Sequence, residues 1–402
     1  MSIESYKVMF VLTPPLHPNS GGVQMSTCKL GRHFISMGHE VTVFSFAEKG
    51  HSNEEPMKLV HTCFPGGQKN IKNLELLEDT LQNFKPDIVI NQMPYEHDIG
   101  EILKANKAYL LLACLRNTLY SVRANLDNYI CSVVPKPVER WLHNPLGRQL
   151  LLLHHKRRHA KNLYRILDTY DHFIMFGPPN VEELRYFLPN FKKQKIKLIP
   201  NSIPSVLEKV PRKEKRLLWL GRVACKQKQA ELILPIWEAI NGQLPEWELD
   251  VVGDGPDLDL LRNEASYKKL NRINFHGRQI PDAYYHRAAI FFMTSAFEGF
   301  PNTLIEAQSY GAIPIVFDSY PVARWIVEEE RSGYLIKPFD VDAMASRILE
   351  VAQIGQRAGI AEKVLKSARR FQVDRVGQQW QELFDAEVPK HVAAFRSAEE
   401  AF

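Results

Sequence analysis

The sequence predicts an α/β protein with two open parallel sheets, and two observations carry this. Short apolar runs and longer helix-like segments alternate along the chain, the pattern of strands joined by crossover helices. The pattern also breaks and restarts. Ile199-Pro-Asn-Ser-Ile-Pro204 and the charged stretch Glu208–Arg216 separate one series of strand–helix units from the next. At 402 residues the chain has room for two domains of ordinary size. The expected division is 1–200, 201–372, and a last helix and tail over 373–402.

In the first half the candidate strands are Lys7–Leu12, Val41–Phe46, Asp87–Asn91, Tyr109–Leu115 and His172–Phe176. In the second half they are Arg216–Leu220, Trp247–Val252, Arg272–His276, Ala289–Thr294 and Ile313–Phe317. Each half therefore reads as an open Rossmann-like unit. A helix is expected near Val23, another over Gln229–Asn241, and helical character from about Asp340 to the end. Internal repeats and low-complexity tracts are absent from the sequence.

Composition excludes several classes. No segment approaches 18 consecutive apolar residues, so no transmembrane helix is expected. Met1–Lys7 lacks the order of a signal peptide and leads into a strand. The five cysteines are scattered and none forms a C-x-x-C pair, which speaks against a disulfide framework or zinc site. A reducing cytoplasm is the expected compartment. The net charge of +5 is modest and unevenly placed. Lys136–Arg165 holds eight Lys/Arg, four His and one Glu, interleaved with Trp141, Leu142, Leu146 and Leu150–Leu153. Such a segment suits an anionic membrane face, here the inner face of the cell membrane, or is an ordinary solvated helix. No nucleic-acid motif accompanies it, so no nucleic-acid partner is expected.

Glu298-Gly-Phe-Pro-Asn-Thr-Leu-Ile-Glu306 is the most informative stretch. The apolar run Ala289–Ser295 before it reads as a buried parallel strand. Pro301 suits a first helical position, which leaves the amides of Asn302, Thr303 and Leu304 at the helix start as phosphate donors. Glu306 would lie roughly 7 Å along the axis, at about 1.5 Å per residue. One carboxylate thus stands at a strand's carboxyl end, where α/β ligands bind. The other lies about a nucleoside away, the layout for a nucleotide-sugar.

This stretch, with Ala307–Gly311 and Ile313–Phe317 after it, resembles the E-x7-E element of retaining glycosyltransferase family 4. The resemblance implies the GT-B fold: two Rossmann-like domains facing across a cleft, with a C-terminal helix, here Val373–Glu387, crossing back to the first domain. It implies that Glu298 faces the donor sugar and Glu306 holds the ribose, with Gly299, Phe300, Asn302, Thr303 and Leu304 adding contacts. Gly221-Arg222, with Lys228 six residues on, resembles the pair that holds the donor diphosphate; Lys226 is the alternative cation. Cations there stabilise charge on the leaving oxygen as the sugar–phosphate bond breaks. The family carries a Gly-x-Gly-Pro turn in the nucleotide pocket, here Gly253 and Gly255, which is a turn or a ligand contact. Gly21-Gly22 resembles its glycine loop facing the diphosphate. Asp257-Leu-Asp259 falls at a helix start and reads as a capping and solvated pair, and the resemblance implies no metal. His276-Gly-Arg278 resembles a segment beside the base, with Tyr284 and Tyr285 as packing residues.

One position departs from the pattern. Many members have a His after the fourth strand, where this chain has Arg116-Asn117; His97 lies earlier. Arg116 cannot act as a base and would bind the donor or an acidic acceptor. The resemblance implies transfer of a sugar from a UDP- or GDP-sugar to a glycan or lipid-linked acceptor, in bacterial cell-envelope polysaccharide synthesis. The alternatives are a GT-B UDP-sugar epimerase and a non-catalytic glycosyltransferase-like binding protein.

Overall fold

The computed structural model describes residues 4–399 except 14–15, 17–20, 47–55, 63, 106, 125, 127–129, 131–141, 143, 329–330 and 356. The start of the basic segment, Lys136 to Trp141, lies outside the described residues.

Two parallel sheets form the molecule. The first contains β1 (Lys7–Leu12), β2 (Glu40–Ser45), β3 (Lys58–His61), β4 (Ile88–Asn91), β5 (Leu110–Cys114), β6 (His172–Met175) and β7 (Ile196–Leu198). The second contains β8 (Glu214–Leu220), β9 (Glu248–Val252), β10 (Ile273–Gly277), β11 (Ala288–Met293), β12 (Ile313–Phe317) and β13 (Tyr334–Ile336). Their orders are β3-β2-β1-β4-β5-β6-β7 and β10-β9-β8-β11-β12-β13. Every ladder is parallel. Each order reverses at its first strand, between β1 and β4 and between β8 and β11. A crevice opens at such a switch point beyond the strands' carboxyl ends.

The ten expected strands are present within one or two residues at either end. Three were not anticipated: β3, β7 and β13, three of the four edge strands, of four, three and three residues. Runs that short and partly solvated carry too few positions to show a period. The helix expected over Gln229–Asn241 is also different. Gln229 adopts a left-handed conformation (φ 45°), so a short helical turn over Cys225–Lys228 ends there and the main helix starts at Ile233.

The last helix runs Val373–Glu399, twelve residues beyond the expected Glu387. Its Val376, Trp380, Leu383, Phe384 and Val388 are buried with Tyr6, Phe10 and Phe34 of the first half. Where this helix departs, the chain touches its own linker. Ile203 donates to Phe371 O and accepts from Val373 N, both at 2.9 Å. The two strands of chain that join the halves are thus zipped to each other.

Candidate functional site

Glu298 and Lys228 come from the two sides of the second switch point. β8 ends at Leu220 and leads through Gly221-Arg222 to the Cys225–Lys228 turn; β11 ends at Met293 and leads to Glu298. The two loops are stitched together. Trp219 Nε1 donates to Thr294 Oγ1 (3.0 Å), Thr294 Oγ1 donates to Lys228 O (2.7 Å), and Ala296 N donates to Gln227 O (2.8 Å). The outcome is an ion pair, Lys228 Nζ to Glu298 Oε1 at 2.5 Å, with side chains only 17% and 9% exposed. Arg222 is solvent-exposed and makes no ion pair among the described residues.

The glycines nearby fit chain against chain. A Cβ on Gly253 would sit 1.8 Å from Gly221 O, and one on Gly255 would sit 2.1 Å from Val223 O. Their close approach is to the neighbouring loop, the turn role of the two expected for them. The D-x-D pair does not cap its own helix. Asp257 accepts the Cys225 amide at 2.7 Å, capping the Lys228 turn instead, while Asp259 pairs with Arg262. His276 is held by Asp250 (2.7 Å) with its ring against Tyr284.

Both oxygens of Glu306 are engaged. Lys29, from the Gly22–Ser36 helix of the first half, donates to Oε1 at 2.7 Å, and the buried Tyr285 hydroxyl donates to Oε2 at 3.0 Å. Burial and the neighbouring Glu306 hold that hydroxyl well above the ordinary tyrosine range. Tyr285 was expected only to pack; it also orients the carboxylate.

The helix start differs from expectation by one residue. Pro301 is the N-cap, and the helix spans Asn302–Ser309. The Leu304 amide donates to Pro301 O at 3.0 Å, so Leu304 is not the free donor the sequence suggested. Asn302 and Thr303 open the helix, and Thr303 Oγ1 is buried without a partner. Asn302 bridges the halves: its Oδ1 accepts from Asn201 (3.0 Å) and its Nδ2 reaches Gly22 O at 3.5 Å. The Phe300 ring is a peg among Phe176, Trp325 and Phe371, with centroids 5.3–6.3 Å away, so only its backbone is available to a ligand.

Of the first-half candidates, Asn117 reaches the donor loop. A Cβ on Gly299 would lie 2.7 Å from Asn117 Cα and 2.9 Å from Arg116 O. Only a glycine lets the Glu298 turn press so closely on that chain. Arg116 lines a small cavity with Ser26, Cys114, Asn201 and Ser202. Its Nε is buried without a partner, and burial pulls its pKa down against the opposing effect of a hydrogen bond with the Cys114 thiol. A guanidinium with no carboxylate partner among the described residues, near Asn201, fits an anion, and the location favours the donor over the acceptor. His97 is not brought to the site: it lines a surface groove with Tyr164, Arg165 and Asp168.

Comparison with known proteins agrees with this fold. A family model described as Glycosyltransferase Family 4 matches residues 20–205, and one described as Glycosyl transferases group 1 matches 207–367. The chain belongs to the GT-B glycosyltransferases of the family 4 type. It is similar to the poly(glycerol-phosphate) alpha-glucosyltransferase of Bacillus subtilis, 23% identical over 244 residues, or 56% of this chain and 36% of that protein. It is similar to the lipopolysaccharide 1,6-galactosyltransferase of Salmonella typhimurium, 27% identical over 160 residues, or 38% of this chain and 44% of that protein. These matches span less than half of either relative's own length. Among solved structures, HepE of Anabaena in complex with UDP and glucose superposes with a TM-score of 0.70 at 16% identity, covering 94% of this chain and 99% of that one. At such identity the likeness shows the fold.

Within this GT-B frame, several residues at the site escaped the sequence reading. Lys29 had a signal, since Gly22, Ser26 and Lys29 share one helix face at i, i+4, i+7. Glu183 had none. It is fully buried and accepts from Thr118 Oγ1, from Leu119 N (3.1 Å) and from Asn180 Nδ2 (3.2 Å). It thereby fixes the loop that meets Gly299.

Proposed function

We propose that the protein is a retaining glycosyltransferase. It moves a sugar from a nucleotide-diphosphate sugar to a glycan or lipid-linked acceptor in bacterial cell-envelope polysaccharide synthesis. The observation that carries this is the shielded Lys228–Glu298 pair at the switch point, with exposed Arg222 beside it. Donor diphosphate would draw Lys228 and Arg222 to itself and leave Glu298 to accept from sugar hydroxyls. Glu306 would take the ribose, with the amides of Asn302, Thr303 and Gly22, at two helix starts, donating to the phosphates.

In the front-face reaction, the acceptor hydroxyl oxygen bonds to C1 as the C1–O bond to phosphate breaks. The hydroxyl proton passes to the leaving phosphate oxygen. The new bond forms on the face the old one leaves, so configuration is retained. The protein contributes charge stabilisation by Lys228 and Arg222, which grows as the diphosphate departs. No metal is required in this scheme. UDP is the favoured carrier, because structural relatives are described with UDP and sugars bound.

The work would be done in the cytoplasm at the inner face of the membrane. The Pro145–Thr169 helix supports this placement: Leu146, Leu150 and Leu153 are exposed on one face, continued by Arg157 and Lys161. Leu151 and Leu152 turn inward against the small Leu126–Ile130–Leu142 cluster.

The deciding experiment incubates the protein with a panel of UDP- and GDP-sugars, reads thermal stabilisation, and then follows nucleotide release with candidate acceptors. Stabilisation by one donor and an axial product bond from an axial donor are expected. Donor binding without any turnover would mark a binding protein, and interconversion of donors without acceptor would mark an epimerase.

A further inference from the structure

A second cavity lies beside the donor groups. It measures about 410 Å³, within the range of ligand pockets, and sits between the two halves. Thr118, Tyr120 and Arg123 line it from the first half, and Phe297, Asp318 and Arg324 from the second. It touches the site at two points. Phe297 immediately precedes Glu298, and Thr118 follows Asn117, whose Cα sits against Gly299. None of Arg222, Lys228, Lys29 or Glu306 lines it. It is therefore open to a second substrate while the donor is bound.

Its walls have a definite chemistry. Arg123 is held over the rings of Tyr120 and Tyr186, 5.1 Å from each centroid, and has no carboxylate partner among the described residues. Arg324 is forked onto Asp318, its Nε donating to Oδ1 at 2.8 Å. Two guanidinium groups and one carboxylate thus line the cavity, leaving one positive charge without a carboxylate among the lining residues. Tyr120 and Phe297 offer aromatic surface for the apolar face of a sugar ring. The loop bearing Thr118 and Leu119 is anchored by buried Glu183, so the first-half wall is preformed.

Resting on the proposed glycosyltransferase activity, we infer that this cavity is the acceptor subsite and that it selects a glycan carrying an anionic group close to the reacting hydroxyl. Phosphate and carboxylate share the feature required, two oxygens that take a planar guanidinium fork. Arg123 is the selecting residue. Tyr120 and Phe297 stack the ring, and Arg324 closes the opposite side.

The test uses the whole chain saturated with UDP, so that the donor side is filled. Binding of three probes is measured by calorimetry: glucose 6-phosphate, methyl glucuronide and neutral methyl glucoside. One or both anionic probes should bind at least about tenfold more tightly than the neutral glycoside, as a charge-assisted hydrogen bond allows. The probe that binds identifies the group, and either one supports the inference. Arg123→Gln should erase the difference while UDP affinity and the thermal midpoint stay as in the parent. Arg123→Lys should restore part of it. Equal binding of all three probes, no binding of any, or an Arg123→Gln variant that keeps the preference would overturn the subsite. A chain that binds neither UDP nor GDP would refute the glycosyltransferase reading itself, and this inference with it; one that binds GDP alone is tested with GDP in place of UDP.

Discussion

Glu306→Gln is the sharpest perturbation, because both carboxylate oxygens already have partners. Lys29 Nζ lies 2.7 Å from Oε1 and Tyr285 donates to Oε2 at 3.0 Å. The amide keeps one acceptor and presents an NH₂ to a donor on the other side. At 2.7 Å and an effective dielectric of about 20, the gross attraction between Lys29 and Glu306 is about 6 kcal/mol. Most of that is offset by desolvation, since the two side chains are only 18% and 11% exposed. A net loss of about 1–3 kcal/mol is expected, the range for a charge-assisted bond broken with one partner left buried. Two assays read it. Urea unfolding of Glu306→Gln, Lys29→Met and the double variant should give a coupling energy of that size, because neighbours in one ion pair are not additive. UDP titration by calorimetry should show a dissociation constant raised about 5- to 150-fold, the same energy read as binding. The ribose must compete with Lys29 for Oε1, so Lys29→Met should not weaken UDP binding through this carboxylate. Unchanged UDP affinity in Glu306→Gln would refute the ribose assignment, whatever the unfolding data say.

Other outcomes follow from the same geometry. Lys228→Ala and Arg222→Ala should each lower turnover about 150-fold, or roughly 3 kcal/mol by analogy with oxyanion donors. Near-normal turnover in both would exclude a diphosphate role, and turnover should persist in EDTA. Changing Arg157, Arg158 and Lys161 to Gln should release the protein from anionic vesicles at low salt without unfolding it, since each cation near such a surface contributes about 1 kcal/mol. Leu146, Leu150 and Leu153 should retain residual affinity, and a parent protein that ignores such vesicles would leave this helix a solvated face. His159 is packed on His155 and Phe187, and burial lowers its pKa from 6.5 to about 4. The unfolded chain therefore takes up the proton first. The stability contributed by neutral His159 is complete above pH 6.5 and lost as pH falls toward about 4. Thermal midpoints followed over that window should fall less steeply in His159→Gln, and identical slopes would contradict this.

Features confined to a few consecutive residues were legible in the sequence. The ten longer strands were, because buried parallel strands are continuous apolar runs. The E-x7-E stretch was legible too, because strand, turn and helix follow one another along the chain. Its details were less so: whether Pro301 caps or begins the helix, and where Gln229 breaks the next one, depends on how the loops fasten to each other. The partners of the motif came only with the tertiary structure. Lys29 and Glu306 are 277 residues apart, and Tyr6 and Asp385 are 379 apart. No period or propensity connects such pairs. They meet because two sheets with reversed strand order present their carboxyl ends to one another and because the last helix returns to the first sheet. The same closure put Arg116 in a cavity with Asn201 and Ser202, left His97 in a surface groove with Tyr164 and Asp168, and placed Arg123 beside the site. Local chemistry determined which residues could act; the packing of one half against the other decided which of them face the same space.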